Sequence, residues 1–110
     1  MPLKISVQLI YPGGTLTLAA GDEAATIGRD AACRIPIPQQ FASRVHAKVE
    51  FRRDKFVLTD TSTNGTYVQA GADSEVILKR EEFILRGAGR ISLGHSCAEG
   101  GADLTWNLSV

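Results

Sequence analysis

Aromatic side chains are scarce in this 110-residue chain, at one Trp, two Tyr and four Phe. Twelve basic residues are matched by twelve acidic ones, so the formal charge is zero. With few rings and no basic excess, the chain lacks both a stacking platform for nucleic acid and a cationic field for a membrane surface. Any anion site must therefore be local. Cysteine is scarcer still: Cys33 and Cys97 lie far apart and form no CxxC unit, which points to free or buried thiols rather than a disulfide. Together with His46 and His95 they would supply four candidate zinc ligands, but the paired spacing of structural zinc is missing, and no metal or cofactor is expected. No apolar run approaches the ~18 residues of a membrane span. The opening MPLKISVQLI alternates polar and apolar residues instead of presenting a signal-peptide core. A reducing, cytoplasmic location is the expectation.

What is present is ordinary globular composition, 44% hydrophobic and 22% charged, on a chain long enough to bury a core without staples. There is no internal repeat, low-complexity linker or second domain, so residues 1–110 are expected to form one domain. Period-two alternation dominates. Leu3, Ile5, Val7 and Leu9 share one strand face, with Lys4, Ser6 and Gln8 on the other. After Pro12-Gly13-Gly14, Leu16 and Leu18 continue in phase. HAKVEFR turns Ala47, Val49 and Phe51 inward, Arg53-Asp54 makes a short turn, and Phe56 and Leu58 resume the pattern. EVILK, EEFIL, an RGAG turn at 86–89, and a strand carrying Ile91 and Leu93 follow. The last strand sets Leu104, Trp106, Leu108 and Val110 against Asp103, Thr105, Asn107 and Ser109. Helical signals are weak, since KREEF at 79–83 is too short to nucleate alone. The SCAEGGAD stretch reads as a loop. These short strands with frequent turn signals predict an all-β, two-sheet antiparallel β-sandwich of about 10–11 strands, with function in the loops at one end.

Three polar, strand-breaking segments stand out: IGRDAACR, PQQFASRVH and DTSTNGT. They carry, in order, Gly28-Arg29, then Ser43-Arg44-Val45-His46, then Thr63-Asn64-Gly65-Thr66. This ordered set resembles the signature of the forkhead-associated (FHA) domain family: GR, then SxxH, then NG, on a β-sandwich. The resemblance spans essentially the whole chain. It implies a non-catalytic module that binds a phosphothreonine-containing protein or peptide, such as a substrate of a serine/threonine kinase, in signalling.

The residue types suit that task. A phosphothreonine carries about −1.5 to −2 charges and three strong acceptor oxygens, so a few fixed donors suffice. By resemblance, Arg29 is the planar fork on the phosphate or the adjacent peptide backbone. Ser43 supplies a hydroxyl to the phosphate, and Arg44 a further cation. Thr63 reaches the phosphate side, while Asn64, whose amide both donates and accepts, pairs with the peptide main chain. Phe41, two residues before Ser43, lies where the family selects the third position after the phosphothreonine; packing onto the end of the sandwich is its other reading. Gly28, His46, Asp60 and Gly65 are expected to shape the loops. Asn64-Gly65 favours a tight turn between strands, and Asp60, Ser62 and Thr63 can satisfy backbone donors within it. His95, in LGHS, is expected to be an exposed loop residue.

Ser43, His46 and Asp60 spell a hydrolytic triad, but no nucleophile elbow or oxyanion hole accompanies them, and no catalytic residue is assigned. The alternative to phosphopeptide binding is a sandwich of the same kind serving phosphate-independent protein or intramolecular contacts. Arg29, Ser43 and Asn64 together argue against it, because a purely structural sandwich needs none of the three.

Overall fold

The computed structural model describes residues 5–109; Leu3, Lys4 and Val110, placed in strands above, lie outside the described residues. Eleven strands are found and no helix among those residues. They are β1 (Ser6–Tyr11), β2 (Gly14–Ala19), β3 (Ala25–Gly28), β4 (Ile35–Pro36), β5 (Ala47–Arg52) and β6 (Lys55–Asp60). The remainder are β7 (Thr66–Ala70), β8 (Val76–Leu78), β9 (Glu82–Leu85), β10 (Ala88–Leu93) and β11 (Leu104–Ser109). One sheet has the order β2-β1-β11-β10-β7-β8 and the other β4-β3-β5-β6-β9.

The expected sandwich is present, with one departure from antiparallel pairing. The β3–β4 pair is parallel, setting Ile27 opposite Ile35. Parallel neighbours usually need a long crossover. Here the partner is only two residues long, and the chain returns to the same edge through residues 29–34. Ile35 is fully buried and Ile37 N–H donates to Gly28 O at 2.7 Å, so burial and one hydrogen bond hold the short return.

Alternation does what the pattern implied. Val7, Leu9, Leu18, Ala47, Val49, Phe56, Leu58, Ile91, Leu93, Leu104 and Trp106 are all at most 2% exposed and form one core. Leu16, Phe51 and Leu108 pack partly buried at its margin. Trp106 donates its indole N–H to Arg86 O at 3.2 Å, satisfying its one polar atom. Truncating a ring so placed costs roughly 3–5 kcal/mol.

The RGAG turn is shorter than its glycines suggest, because β10 already begins at Ala88. Gly89 lies inside the strand because the Trp106 ring covers it: a Cβ there would meet the ring at 2.2 Å and Gln69 O at 2.5 Å. It is a glycine of close approach rather than of turning. The KREEF segment forms a turn and then enters β9.

Strand directions gather the connections that carry the three motifs. Pairing of β3 with β5, β5 with β6 and β7 with β10 brings the end of β3, the start of β5, the end of β6 and the start of β7 to one pole. The three polar segments meet there.

Candidate functional site

Gly28 closes β3 against the incoming chain. A Cβ at this position would stand 2.2 Å from Arg44 O and 2.9 Å from His46 N, so only glycine lets the two backbones touch. Around it, Arg29 N–H donates to Ser43 O (3.0 Å), Asp30 N–H to Arg44 O (3.1 Å) and His46 N–H to Ile27 O (2.8 Å). The Gly28-Arg29 corner is thereby laced to the Ser43–His46 corner.

Arg29 is exposed, but its guanidinium is not loose. Its Nε–H donates to Ala42 O at 3.1 Å, and the two terminal nitrogens have no hydrogen-bond partner among the described residues. The fork is thus held by its root with its tips free. Ser43 is similarly half-engaged. Its Oγ accepts from Thr63 N–H at 3.2 Å, which leaves the hydroxyl proton unspent. Asn64 Nδ2 donates to Phe41 O at 3.1 Å, leaving the amide oxygen and a second N–H. The structure therefore brings Arg29, Ser43, Thr63 and Asn64 onto one rim. Arg44 adjoins Ser43 with an exposed guanidinium that makes no hydrogen bond among the described residues.

His46 binds the rim from below. It is fully buried; Nδ1 accepts from Ser43 N–H at 2.9 Å and Nε2 lies 2.8 Å from Gly65 O. A backbone donor on Nδ1 requires a bare nitrogen there, and a carbonyl on Nε2 requires a proton, so one neutral tautomer satisfies both. Burial pushes its pKa below the usual value for histidine, against the pull of the Gly65 carbonyl and the Asp60 charge. Since Nδ1 faces the Ser43 backbone rather than its hydroxyl, the spelled-out triad is not assembled.

Asp60, 1% exposed, organises the second loop. Its Oδ1 accepts from Ser62 Oγ and Thr66 Oγ1, both at 2.6 Å, and from Ser62 N–H at 3.3 Å; Oδ2 accepts from Arg80 N–H at 2.9 Å. Four donors make a buried carboxylate tenable. Ser62 Oγ in turn accepts from Gly65 N–H at 2.8 Å. Thr63 plays a different part from its neighbours: it gives its N–H to Ser43. Gly65 adopts φ +89°, as its position after Asn64 suggested, but the turn is no hairpin. It carries the chain from β6 in one sheet to β7 in the other.

Phe41 is 47% exposed, with its ring 6.1 Å from that of His95. His95 departs from expectation: it is partly buried and its Nε2 pairs with Asp103 Oδ2 at 3.1 Å. That carboxylate also accepts from Gln39 Nε2 and Leu93 N–H, anchoring the 94–103 loop under Phe41. Cys33 and Cys97 are both buried free thiols, with pKa values raised by burial. Cys33 donates to Arg44 O at 3.3 Å and so backs the same corner.

The family model described as FHA domain matches residues 25–94, from β3 to the end of β10 and through all three corners. The chain belongs to the FHA domain family. No curated protein matches it. Among solved structures it is similar to the FHA-1 domain of the Mycobacterium tuberculosis Rv1747 protein, with a TM-score of 0.73 and 23% identity, covering 98% of this chain and 100% of that one. It is also similar to the N-terminal FHA domain of S. cerevisiae Rad53p, solved with a phosphothreonine peptide, with a TM-score of 0.67 and 21% identity over 96% and 93% of the two chains. FHA domains are recognition modules without catalytic activity. Among the described residues of this FHA domain no helix is long and apolar enough to cross a membrane.

Several contributors escaped sequence reasoning. Ala42 matters through a carbonyl, which no side-chain pattern reveals. Thr61 ties the two corners by donating to Val45 O or His46 O, each at 3.3 Å. Thr66, inside the NG motif, could have been found as a hydroxyl partner for Asp60. Arg80 is remote in sequence and offered no signal.

Proposed function

We propose that this FHA domain, taken as residues 1–110, is a phosphothreonine-dependent peptide-binding module of a signalling protein. Arg29, Ser43, Arg44 and Thr63 serve the phosphate, and Asn64 serves the peptide main chain. The observation that carries this reading is the set of half-spent donors on one rim. The Arg29 fork is fixed through Nε with its terminal N–H groups free, and the Ser43 oxygen is occupied while its proton is not. Preorganised donors of this kind lose little entropy on binding a tetrahedral dianion. The phosphothreonine peptide bound to the similar Rad53p domain supports it. Phe41, half-exposed beside the rim, is the residue proposed to read the third position after the phosphothreonine, with an apolar preference.

The partner is inferred to be a substrate of a serine/threonine kinase, met in the cytoplasm, where buried free thiols such as Cys33 and Cys97 persist. The test is a calorimetric titration with matched phosphothreonine, threonine and glutamate peptides. Only the first should bind well, since glutamate offers one charge and a planar carboxylate. Equal affinity for the threonine peptide would overturn the assignment in favour of phosphate-independent contacts.

A further inference from the structure

On the Ser62–Gly65 loop opens a hollow of about 480 Å³, lined by Ser62, Thr63, Asn64, Gly65, Lys79 and Arg80. Two cations belong to it, and neither forms an ion pair among the described residues. Arg80 is built into place. Its backbone is left-handed at φ +59°, a conformation that costs a side-chain-bearing residue roughly 1–2 kcal/mol. The strain is held by two hydrogen bonds: its N–H donates to the buried Asp60 carboxylate at 2.9 Å, and its Nε–H to Ser62 O at 3.2 Å. The terminal nitrogens again have no partner among the described residues. Arg80 thus repeats the arrangement of Arg29, a guanidinium rooted through Nε on a loop carbonyl with its tips unspent. Glu81 shares the turn, but its carboxylate accepts from the Lys79 backbone N–H at 3.1 Å and forms no ion pair with the Lys79 ammonium.

We propose that Lys79 and Arg80 form a second anion subsite, which binds a further acidic or phosphorylated residue of the same peptide. Thr63 and Asn64 are shared walls: they face this hollow and also stand on the rim with Ser43. A peptide whose phosphothreonine sits at the rim therefore carries flanking residues past Arg80. The subsite rests on the phosphothreonine reading above and adds a preference for doubly anionic ligands.

The test is fluorescence anisotropy with a labelled alanine-rich phosphothreonine peptide. A second anion, glutamate or phosphoserine, is scanned over four positions on either side. One or two positions should tighten binding, by about tenfold for phosphoserine and less for glutamate. The Lys79→Gln/Arg80→Gln variant should lose that gain, read as the ratio of its affinities for the doubly and singly anionic peptides. Lys79→Gln alone, which leaves every loop hydrogen bond intact, should lose part of it, so a loosened loop in the double variant does not decide the outcome. The subsite is refuted if no position gains, or if the gain survives in both variants. Failure of the parent reading looks different: the wild-type domain would bind phosphorylated and unphosphorylated alanine peptides alike, and both proposals would fall together.

Discussion

Replacing His46 with alanine removes the buried ring that clasps the Ser43–His46 corner to the Asn64–Gly65 corner from below. Two hydrogen bonds are lost, from Ser43 N–H at 2.9 Å and to Gly65 O at 2.8 Å; Gly65 O keeps Gly94 N–H at 2.9 Å, so only the Ser43 N–H is stranded. The stranded Ser43 N–H costs about 1–3 kcal/mol, and the imidazole leaves a void, so a loss of about 2–4 kcal/mol is expected near pH 7.5. That is a large share of the ~5–15 kcal/mol that holds a domain together. The cost should also depend on pH. Burial lowers the His46 pKa, so between the folded and unfolded values the unfolded chain binds a proton that the folded one refuses. Wild-type stability is then complete above about pH 6.5 and falls as pH drops below it, by at most ~1.4 kcal/mol per pH unit. Protonation would also set an N–H against the Ser43 N–H, opening the clasp. The alanine variant lacks this titration, so the gap between the two proteins should narrow on acidification. Urea unfolding of both at pH 7.5, 6.5 and 5.5 measures the gap directly. A gap below about 1 kcal/mol at pH 7.5, or one that is constant with pH, would refute the argument.

Arg29→Ala should weaken phosphothreonine-peptide binding tenfold to a hundredfold, the worth of roughly 1.5–3 kcal/mol for a charged hydrogen-bond donor. Its thermal midpoint should hardly move, because the side chain is exposed; calorimetry and a melting scan check the two halves. Ser43→Ala should weaken binding less, and the Thr63 amide, stripped of its acceptor, should exchange its proton faster in NMR. Gly28→Ala forces a Cβ to 2.2 Å from Arg44 O and should cost about 1–3 kcal/mol in urea unfolding along with peptide affinity. An unchanged midpoint would contradict the close approach.

The sandwich was legible because Val7, Leu9, Leu104 and Trp106 obey a period of two that admits little else. Reading failed where residues served the backbone. Gly89 resembles a turn residue in sequence, and only the Trp106 ring above it shows otherwise. The short β3 and β4 carry too few positions for a period to emerge, so the parallel return went unseen. The site was legible as a set of residue types, Arg29, Ser43 and Asn64, but their half-occupied hydrogen bonds depend on partners such as Ala42 O and Phe41 O that no motif encodes. His95 was misjudged because its partner Asp103 lies across a loop, where local context carries no information.

Ser6 and Ser109 face each other across the β1–β11 ladder, whereas Leu104 begins that strand beside the loop that supports Phe41. Six residues of strand, some 20 Å, separate the paired positions from the pole of the candidate site. A host protein cut open at a surface turn could receive this module between two neighbouring attachment points, about one strand spacing apart. The pole that carries the proposed site would then project outward, unobstructed by the graft.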